Sequence, residues 1–318
     1  VELDPEQLAK ELVRALRGRR SQTAFARRLG YRSNVVYTWE SGRRWPDATT
    51  FLAAAARVGV DVPAALRAFY RAEPPWLAQH DPASRGGVAA LLADLQGNTP
   101  LAEIATRAGR SRFAVSRWLR GKAEPRLPDL LRMIEATSLR LLDFLAALVD
   151  VAALPSAAEA WTRLEAARTL AWRAPWSQAV LLGLELSGYR ALAAHDDAWL
   201  AARLGLAPAE VAEALVQLQA AGQVRRERGR WVPVEVRAVD VRRAGTGLKE
   251  FWSEVALRRL RDGQPGLWSY NVFTVSEADL ARLEDLQRAH YRSIRALVAA
   301  STPSERVVLV NLQLVPLG

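Results

Sequence analysis

The sequence has no cysteine and only three histidines and one methionine in 318 residues. Without cysteine, disulfides, thiolate catalysis and sulfur-ligated zinc are excluded. His80, His195 and His290 lie in unrelated contexts, and no His-x-x-x-His pair, Ser-His-Asp set or glycine-rich phosphate loop accompanies them. Gly245-Thr246-Gly247 is too short to cradle a nucleotide. A chain without an enzymatic site, cofactor or metal is therefore expected. No apolar run approaches the roughly eighteen residues that span a bilayer, and no signal-peptide pattern opens the chain. The expectation is a cytoplasmic, nucleoid-associated protein with no membrane partner.

Basic charge is present in excess. Lys and Arg number 44 against 34 Asp and Glu, a net charge of +10. The excess is concentrated in two islands. From Arg17 to Arg44 stand Arg17, Arg19, Arg20, Arg27, Arg28, Arg32, Arg43 and Arg44, with Glu40 the only acid. From Arg107 to Arg126 stand Arg107, Arg110, Arg112, Arg117, Arg120, Lys122 and Arg126, with Glu124 the only acid. Clustered cations of this kind are the electrostatic footprint of phosphate binding. The composition is otherwise that of a folded protein, half hydrophobic and a quarter charged, with length for two or three domains.

Both islands ride on one repeat. Sliding the chain by 79 positions lays Gly30 on Gly109, Val36 on Val115, Trp39 on Trp118, Gly42 on Gly121 and Pro46 on Pro125. Leu12, Leu16, Gly18, Ala26, Arg28, Leu52 and Leu66 fall on Leu91, Leu95, Gly97, Ala105, Arg107, Leu131 and Leu145 in the same register. This marks a duplicated module of about 65 residues, a size at which small domains fold.

In the first copy, Leu8, Leu12, Val13 and Leu16 have helical spacing. Ser21 is placed to cap a second helix that stops at Gly30, and Ser33 to cap a third that ends near Gly42. On that third helix Val36 and Trp39 turn inward with Phe25 and Leu29. Asn34, Tyr37, Thr38 and Ser41 form the opposite stripe, flanked by arginine. A short polar stripe among cations suits base-edge contact, with its neighbours holding phosphates.

The runs S-Q-T-A-F-A-R-R-L-G and S-N-V-V-Y-T-W-E-S-G-R-R-W-P resemble the lambda-repressor/Cro (XRE) helix-turn-helix family. The resemblance implies double-stranded DNA as partner. Gln22 would meet backbone phosphate, Ser33, Asn34 and Thr38 would face bases with Tyr37 beside them, and Arg32, Arg43 and Arg44 would hold the flanking backbone. Asn can contact adenine through two hydrogen bonds. The second copy departs from the motif: Leu101 stands opposite Gln22, Phe113 opposite Asn34 and Arg117 opposite Thr38. Its stripe is Phe113, Ser116, Arg117 and Arg120, with Arg112 at its start and Lys122 beyond. Arg117 suits guanine, and Phe113 suits either a thymine methyl or the protein itself.

Pro74-Pro75 and the stretch from Asp81 to Gly87 read as a linker. A helix from Ser156 to Trp172 follows, and then a segment resembling a winged helix: one helix with Val180, Leu181, Leu184 and Tyr189, a second capped by Asp196 or Asp197, a third from Pro208 to Ala221, and a wing turning at Gly229. The third helix presents Glu210, Glu213 and Gln217, which suits scaffolding or dimerisation better than phosphate. Only the wing, with Arg225, Arg226, Arg228 and Arg230, is basic. Beyond it, strands Val232–Val241, Trp268–Val275 and Val307–Val315 alternate with helices Leu248–Leu260 and one capped by Ser276, whose stripe is Leu280, Leu283, Leu286, His290, Ile294 and Leu297. The runs F-T-V-S-E-A-D-L and R-V-V-L-V-N-L-Q-L-V-P-L resemble an uncharacterised module of bacterial helix-turn-helix regulators, a similarity covering about the last two-thirds of the chain.

The expected fold is mainly α: a Cro-like helix-turn-helix domain (1–75), a second, divergent one (86–150), a connecting helix with a winged-helix-like domain (156–234), and an α+β unit of order β-α-β-α-β for regulation or dimerisation (235–318). The expected function is sequence-specific transcriptional regulation, as a repressor acting as a homodimer. An adaptor or antitoxin-like protein with ancillary DNA binding, or a regulator sensing an unknown effector, remains the alternative.

Overall fold

A computed structural model of the chain describes residues 3–70, 72–234 and 247–317. Among these residues the protein is mainly helical, with seventeen α-helices, two short 3-10 turns and one two-stranded sheet. None of the helices is by itself long and apolar enough to cross a membrane. The chain forms two compact units, Val1–Trp161 with Ala289–Ala296, and Thr162–Arg288 with Leu297–Gly318.

The first unit opens with α1 (Pro5–Arg17), α2 (Gln22–Arg28), α3 (Val35–Glu40), α4 (Ala48–Arg57) and α5 (Val62–Tyr70). It then repeats them helix for helix as α6 (Arg85–Gln96), α7 (Leu101–Arg107), α8 (Arg112–Leu119), α9 (Leu127–Ser138) and α10 (Leu141–Leu148). The shared glycines are helix terminators: Gly30 and Gly109 follow α2 and α7 at φ 89° and 59°, and Gly42 and Gly121 follow α3 and α8 at 74° and 61°. A side chain at these angles is strained, which keeps glycine in register in both copies. Leu12, Val36, Leu52 and Leu66 are buried, and so are their counterparts Leu91, Val115, Leu131 and Leu145. Each such side chain stabilises the fold by roughly 1.5–3 kcal/mol. Between the copies, the Pro74-Pro75 segment is a packed 3-10 turn (Pro75–Ala78) that buries Trp76 and Leu77, and Ser84 caps α6, so the expected linker is shorter than 81–87.

The two copies meet about a local two-fold axis. Asp47 and Arg126 form an antiparallel bridge, with Ala48 N donating to Pro125 O (3.0 Å) and Leu127 N to Pro46 O (2.9 Å). The repeat maps Pro46, Asp47 and Ala48 onto Pro125, Arg126 and Leu127, so exchanging the copies turns this hydrogen-bond pair into itself. The helix contacts obey the same exchange: α1 packs on α9 and α6 on α4, while α4 meets α9 and α5 meets α10. Phe69 and Phe144 pack edge to face across the α5–α10 contact, ring centres 5.7 Å apart.

Helix α11 (Pro155–Arg173) runs from the first unit into the second. There follow α12 (Trp176–Gly183), α13 (Ser187–Arg190), α14 (Asp197–Leu204), α15 (Pro208–Ala220), a hairpin of β1 (Val224–Glu227) and β2 (Arg230–Pro233), α16 (Gly247–Arg261) and α17 (Glu277–Ala300). The segment expected as one helix through Tyr189 breaks after Gly183 and resumes at Ser187. Asp196 caps α14, its carboxylate accepting from Trp199 N at 3.1 Å. The hairpin turns on Arg228 and Gly229, both at positive φ (47° and 77°), the conformation that matches strand twist in a two-residue turn. Val180, Leu184, Leu200, Leu204, Val211, Leu215, Leu218, Val224 and Trp231 form its core around Tyr189. The Tyr189 hydroxyl accepts from Trp231 N (3.1 Å) and is hydrogen-bonded to His195 Nδ1 (2.9 Å), and His195 Nε2 meets Asp197 at 2.7 Å. Tyr189 thereby ties β2 to the helices, and His195 N holds the turn by donating to Gly229 O at 3.1 Å.

The C-terminal β-α-β-α-β order is corrected by the structure. The first strand is realised only as β2, ending at Pro233; residues 235–246, where it was to continue, lie outside the described residues. Trp268–Val275 and Val307–Val315 join no ladder, and Tyr270 and Val272 stand 90% and 77% exposed. A strand needs a hydrogen-bonded neighbour, which alternation of side chains cannot supply, and among the described residues neither segment has one. Helix α17 forms as expected with Ser276 as cap, yet it buries no residue: Leu286 and Leu297 are 65% and 73% exposed.

Candidate nucleic-acid interface

Helices α2 and α3 present the first basic island. Ser21 Oγ accepts from Ala24 N (3.1 Å) to open α2, which closes at Leu29. The tight turn to α3 is fixed by Tyr31 N donating to Ala26 O (2.9 Å) and by Tyr31 packing edge-on to Trp39 at 5.7 Å. Val36 and Trp39 are buried, which forces the other side of this six-residue helix outward. Asn34, Tyr37 and Ser41 are exposed and Thr38 half-buried, the stripe expected from spacing.

Local hydrogen bonds correct one cap and engage two further side chains. The N-cap of α3 is Asn34, not Ser33: its Oδ1 accepts from Tyr37 N at 3.3 Å, because Asn34 is the last residue before helical backbone begins. Its amide NH2 is the part left to face outward. Thr38 Oγ1 donates to Val35 O (2.7 Å), so toward a ligand it offers lone pairs. Gln22 turns its side-chain amide to Glu40, donating to Oε2 at 2.7 Å. Glu40, 5% exposed, also receives Arg17 Nε at 2.5 Å and lies 3.9 Å from Arg14 Nε. The spacing of the motif did not reveal this carboxylate's part; its isolation as the sole acid of the island was the available signal.

In the second copy Ser111 Oγ accepts from Ala114 N (3.2 Å) to open α8, and Val115 and Trp118 face inward. Phe113 stands 72% exposed, with the Arg117 guanidinium 5.5 Å from its ring centre, so it packs against no core. Arg112, Arg117, Arg120 and Lys122 are exposed and Ser116 is half-buried.

Ion pairing removes four cations from the two islands, while Arg19, Arg20, Arg27 and Arg28 on and before α2 pair with no carboxylate among the described residues, Arg28 donating instead to Arg57 O at 2.9 Å. Arg17 is neutralised by Glu40, Arg107 by Glu103, Arg110 by Asp129 and Arg126 by Asp47. Among the described residues no carboxylate pairs with Arg32, Arg43, Arg44, Arg112, Arg117, Arg120 or Lys122. Those seven flank the two outward stripes, and Arg43 lies over the Tyr37 ring at 5.3 Å. The arrangement can neutralise phosphates on either side of a short polar surface.

The second unit offers less to phosphate. Helix α15 exposes Glu210 and Glu213, and on the hairpin Arg225 is paired with Glu227 at 2.6 Å while Arg226 lies over Trp231. No group of His, Asp or Glu among the described residues is arranged to hold a metal ion. An open hollow of about 500 Å³ beside the Asp47–Arg126 bridge is lined by Tyr31, Trp39, Arg44, Trp45 and both bridge residues.

In comparison with known proteins, residues 158–317 match the family described as Domain of unknown function (DUF4423). No curated protein and no solved structure matches the chain.

Proposed function

The chain belongs to the DUF4423 family, and we propose that its N-terminal half makes it a sequence-specific regulator of transcription that reads double-stranded DNA. The observation that carries this reading is the set of seven cations around two outward helix stripes that pair with no carboxylate among the described residues, while Arg17, Arg107, Arg110 and Arg126 are neutralised. Helix α3 enters the major groove as a Cro-like recognition helix, with Asn34, Tyr37 and Thr38 toward bases and Arg32, Arg43 and Arg44 on phosphate. Helix α8 does the same with Arg112, Phe113, Ser116, Arg117, Arg120 and Lys122. The winged-helix-like α14–α15–β1–β2 segment serves as scaffold, because carboxylates on α15 repel phosphate. Repression is the mode proposed.

Assembly through a second copy belongs to the same proposal. Helix α17 carries Glu277, Asp279, Glu284 and Asp285 with Arg282 in its first half, then Arg288, Arg292 and Arg295 with no further acid. Arg282 pairs with Asp279 and Arg288 with Glu284 and Asp285 along the helix, which leaves Glu277, Arg292 and Arg295 as the uncompensated ends among the described residues. An antiparallel second copy complements that polarity, and the exposed apolar segments beside it gain cover and backbone partners.

The test is selection of bound duplexes from a random pool, followed by salt titration on the winner and on random DNA. A regulator keeps an affinity gap of about 10³-fold or more between the two. A gap below tenfold, with only a steep common salt term, refutes the reading and favours a protein-binding adaptor.

A further inference from the structure

We infer that a single chain is already a two-fold reader, seating α3 and α8 on two inverted half-sites of unlike sequence, one turn of the duplex apart. The inference rests on the DNA-reading role proposed above and adds what one chain must recognise.

The axis comes first. A symmetric operator is ordinarily matched by two identical subunits related by a two-fold axis. Here the axis lies inside one chain. It passes through the bridge that exchanges Pro46, Asp47 and Ala48 with Pro125, Arg126 and Leu127, and the helix pairs α1–α9 and α6–α4 exchange across it. Two modules joined by a flexible tether would carry no such self-mapping hydrogen bonds and could read half-sites in any orientation. A two-fold relation admits only the inverted one.

Chain length then sets the spacing. Gly42 to Asp47 is five residues, a reach of at most about 18 Å. Half of the six-residue α3 adds about 5 Å. The corresponding stretch from α8 to Arg126 is the same. With about 5 Å across the bridging pair, the two recognition-helix centres lie within about 50 Å of each other. Successive turns of B-DNA put half-sites about 34 Å or about 68 Å apart, so only the single-turn spacing is within reach.

The half-sites must differ in bases because the stripes differ in chemistry. Asn34, Tyr37 and Thr38 offer an amide, a phenol and hydroxyl lone pairs. Phe113, Ser116 and Arg117 offer a bare ring, a hydroxyl and a guanidinium. The operator is therefore inverted in geometry and asymmetric in sequence, and it fixes the direction in which the chain lies on the DNA.

The full-length chain is tested with duplexes selected from a random pool, by footprinting and by native mass spectrometry of the complex. Two protected half-sites per bound chain, inverted and about 10 base pairs apart, support the inference. Inserting five base pairs between them turns the halves onto opposite faces and should weaken binding about 100-fold or more. Asn34→Asp should relax base choice in one half only, and Arg117→Ala in the other. One half-site per chain, a direct repeat, or indifference to the insertion overturns the inference and leaves DNA reading standing. Winners that bind no better than random DNA overturn both.

Discussion

Gln22 donates its side-chain amide to Glu40 across 2.7 Å, tying the first residue of α2 to the last residue of α3. With Arg17 on the other carboxylate oxygen, Glu40 sets how α3 sits against α1 and α2. Replacing Glu40 by Gln keeps the shape and removes the charge, leaving Arg17 without a counterion. A loss of about 1–3 kcal/mol in urea unfolding is expected. An unchanged midpoint would show that this network does not hold the helix pair.

Asn34 has two tasks on two atoms, and substitutions separate them. Asn34→Asp keeps the oxygen that caps Tyr37 N and loses the outward amide. It should fold as the parent does and lose about 1–3 kcal/mol of discrimination between the selected duplex and a single-base mismatch. Asn34→Ala should lose the cap as well, costing about 1 kcal/mol of stability. Equal stability of all three chains would count against the capping role.

Phosphate neutralisation has its own signature. Arg43→Ala and Lys122→Ala should each reduce the slope of log affinity against log salt by about one, measured by fluorescence anisotropy on selected and random duplexes. Arg17→Ala should leave the slope unchanged, because Glu40 already neutralises that charge. A fall in slope for Arg17→Ala equal to the other two would break the division of the basic island.

Tyr189→Phe removes the acceptor of Trp231 N and the partner of His195 Nδ1. Leaving buried polar groups without their bonds costs roughly 1–3 kcal/mol. Chemical denaturation followed by tryptophan fluorescence should register it, and a null result would remove the hydroxyl from the account of the hairpin.

Self-association through α17 is tested by charge exchange. Glu284→Arg with Asp285→Arg, or Arg288→Glu with Arg295→Glu, should each weaken dimerisation in sedimentation at low salt, and an equimolar mixture of the two variants should restore it. Mixing without restoration excludes antiparallel pairing of this helix.

Most of the local structure was written in residue order. The helix breaks at Gly30, Gly42, Gly109 and Gly121, the caps Ser21 and Ser276, and the hairpin at Gly229 are short-range consequences of backbone sterics and nearby hydrogen bonds, whereas the cap of α3 fell on Asn34 instead of Ser33. The outward stripes followed from where Val36, Trp39, Val115 and Trp118 had to go. Alternation alone misled at Trp268–Val275 and Val307–Val315, since a pattern names a face and not a neighbour.

The sequence by itself determined the duplicated helical module, its basic islands and the residues it turns toward solvent, because each depends on contacts within a few turns of chain. Only the tertiary structure decided that Gln22 serves Glu40, which cations are already neutralised, and that Asp47 meets its own counterpart Arg126. Those outcomes depend on groups 18, 23 and 79 residues apart, and pairings at such separations follow from how packed helices close on one another.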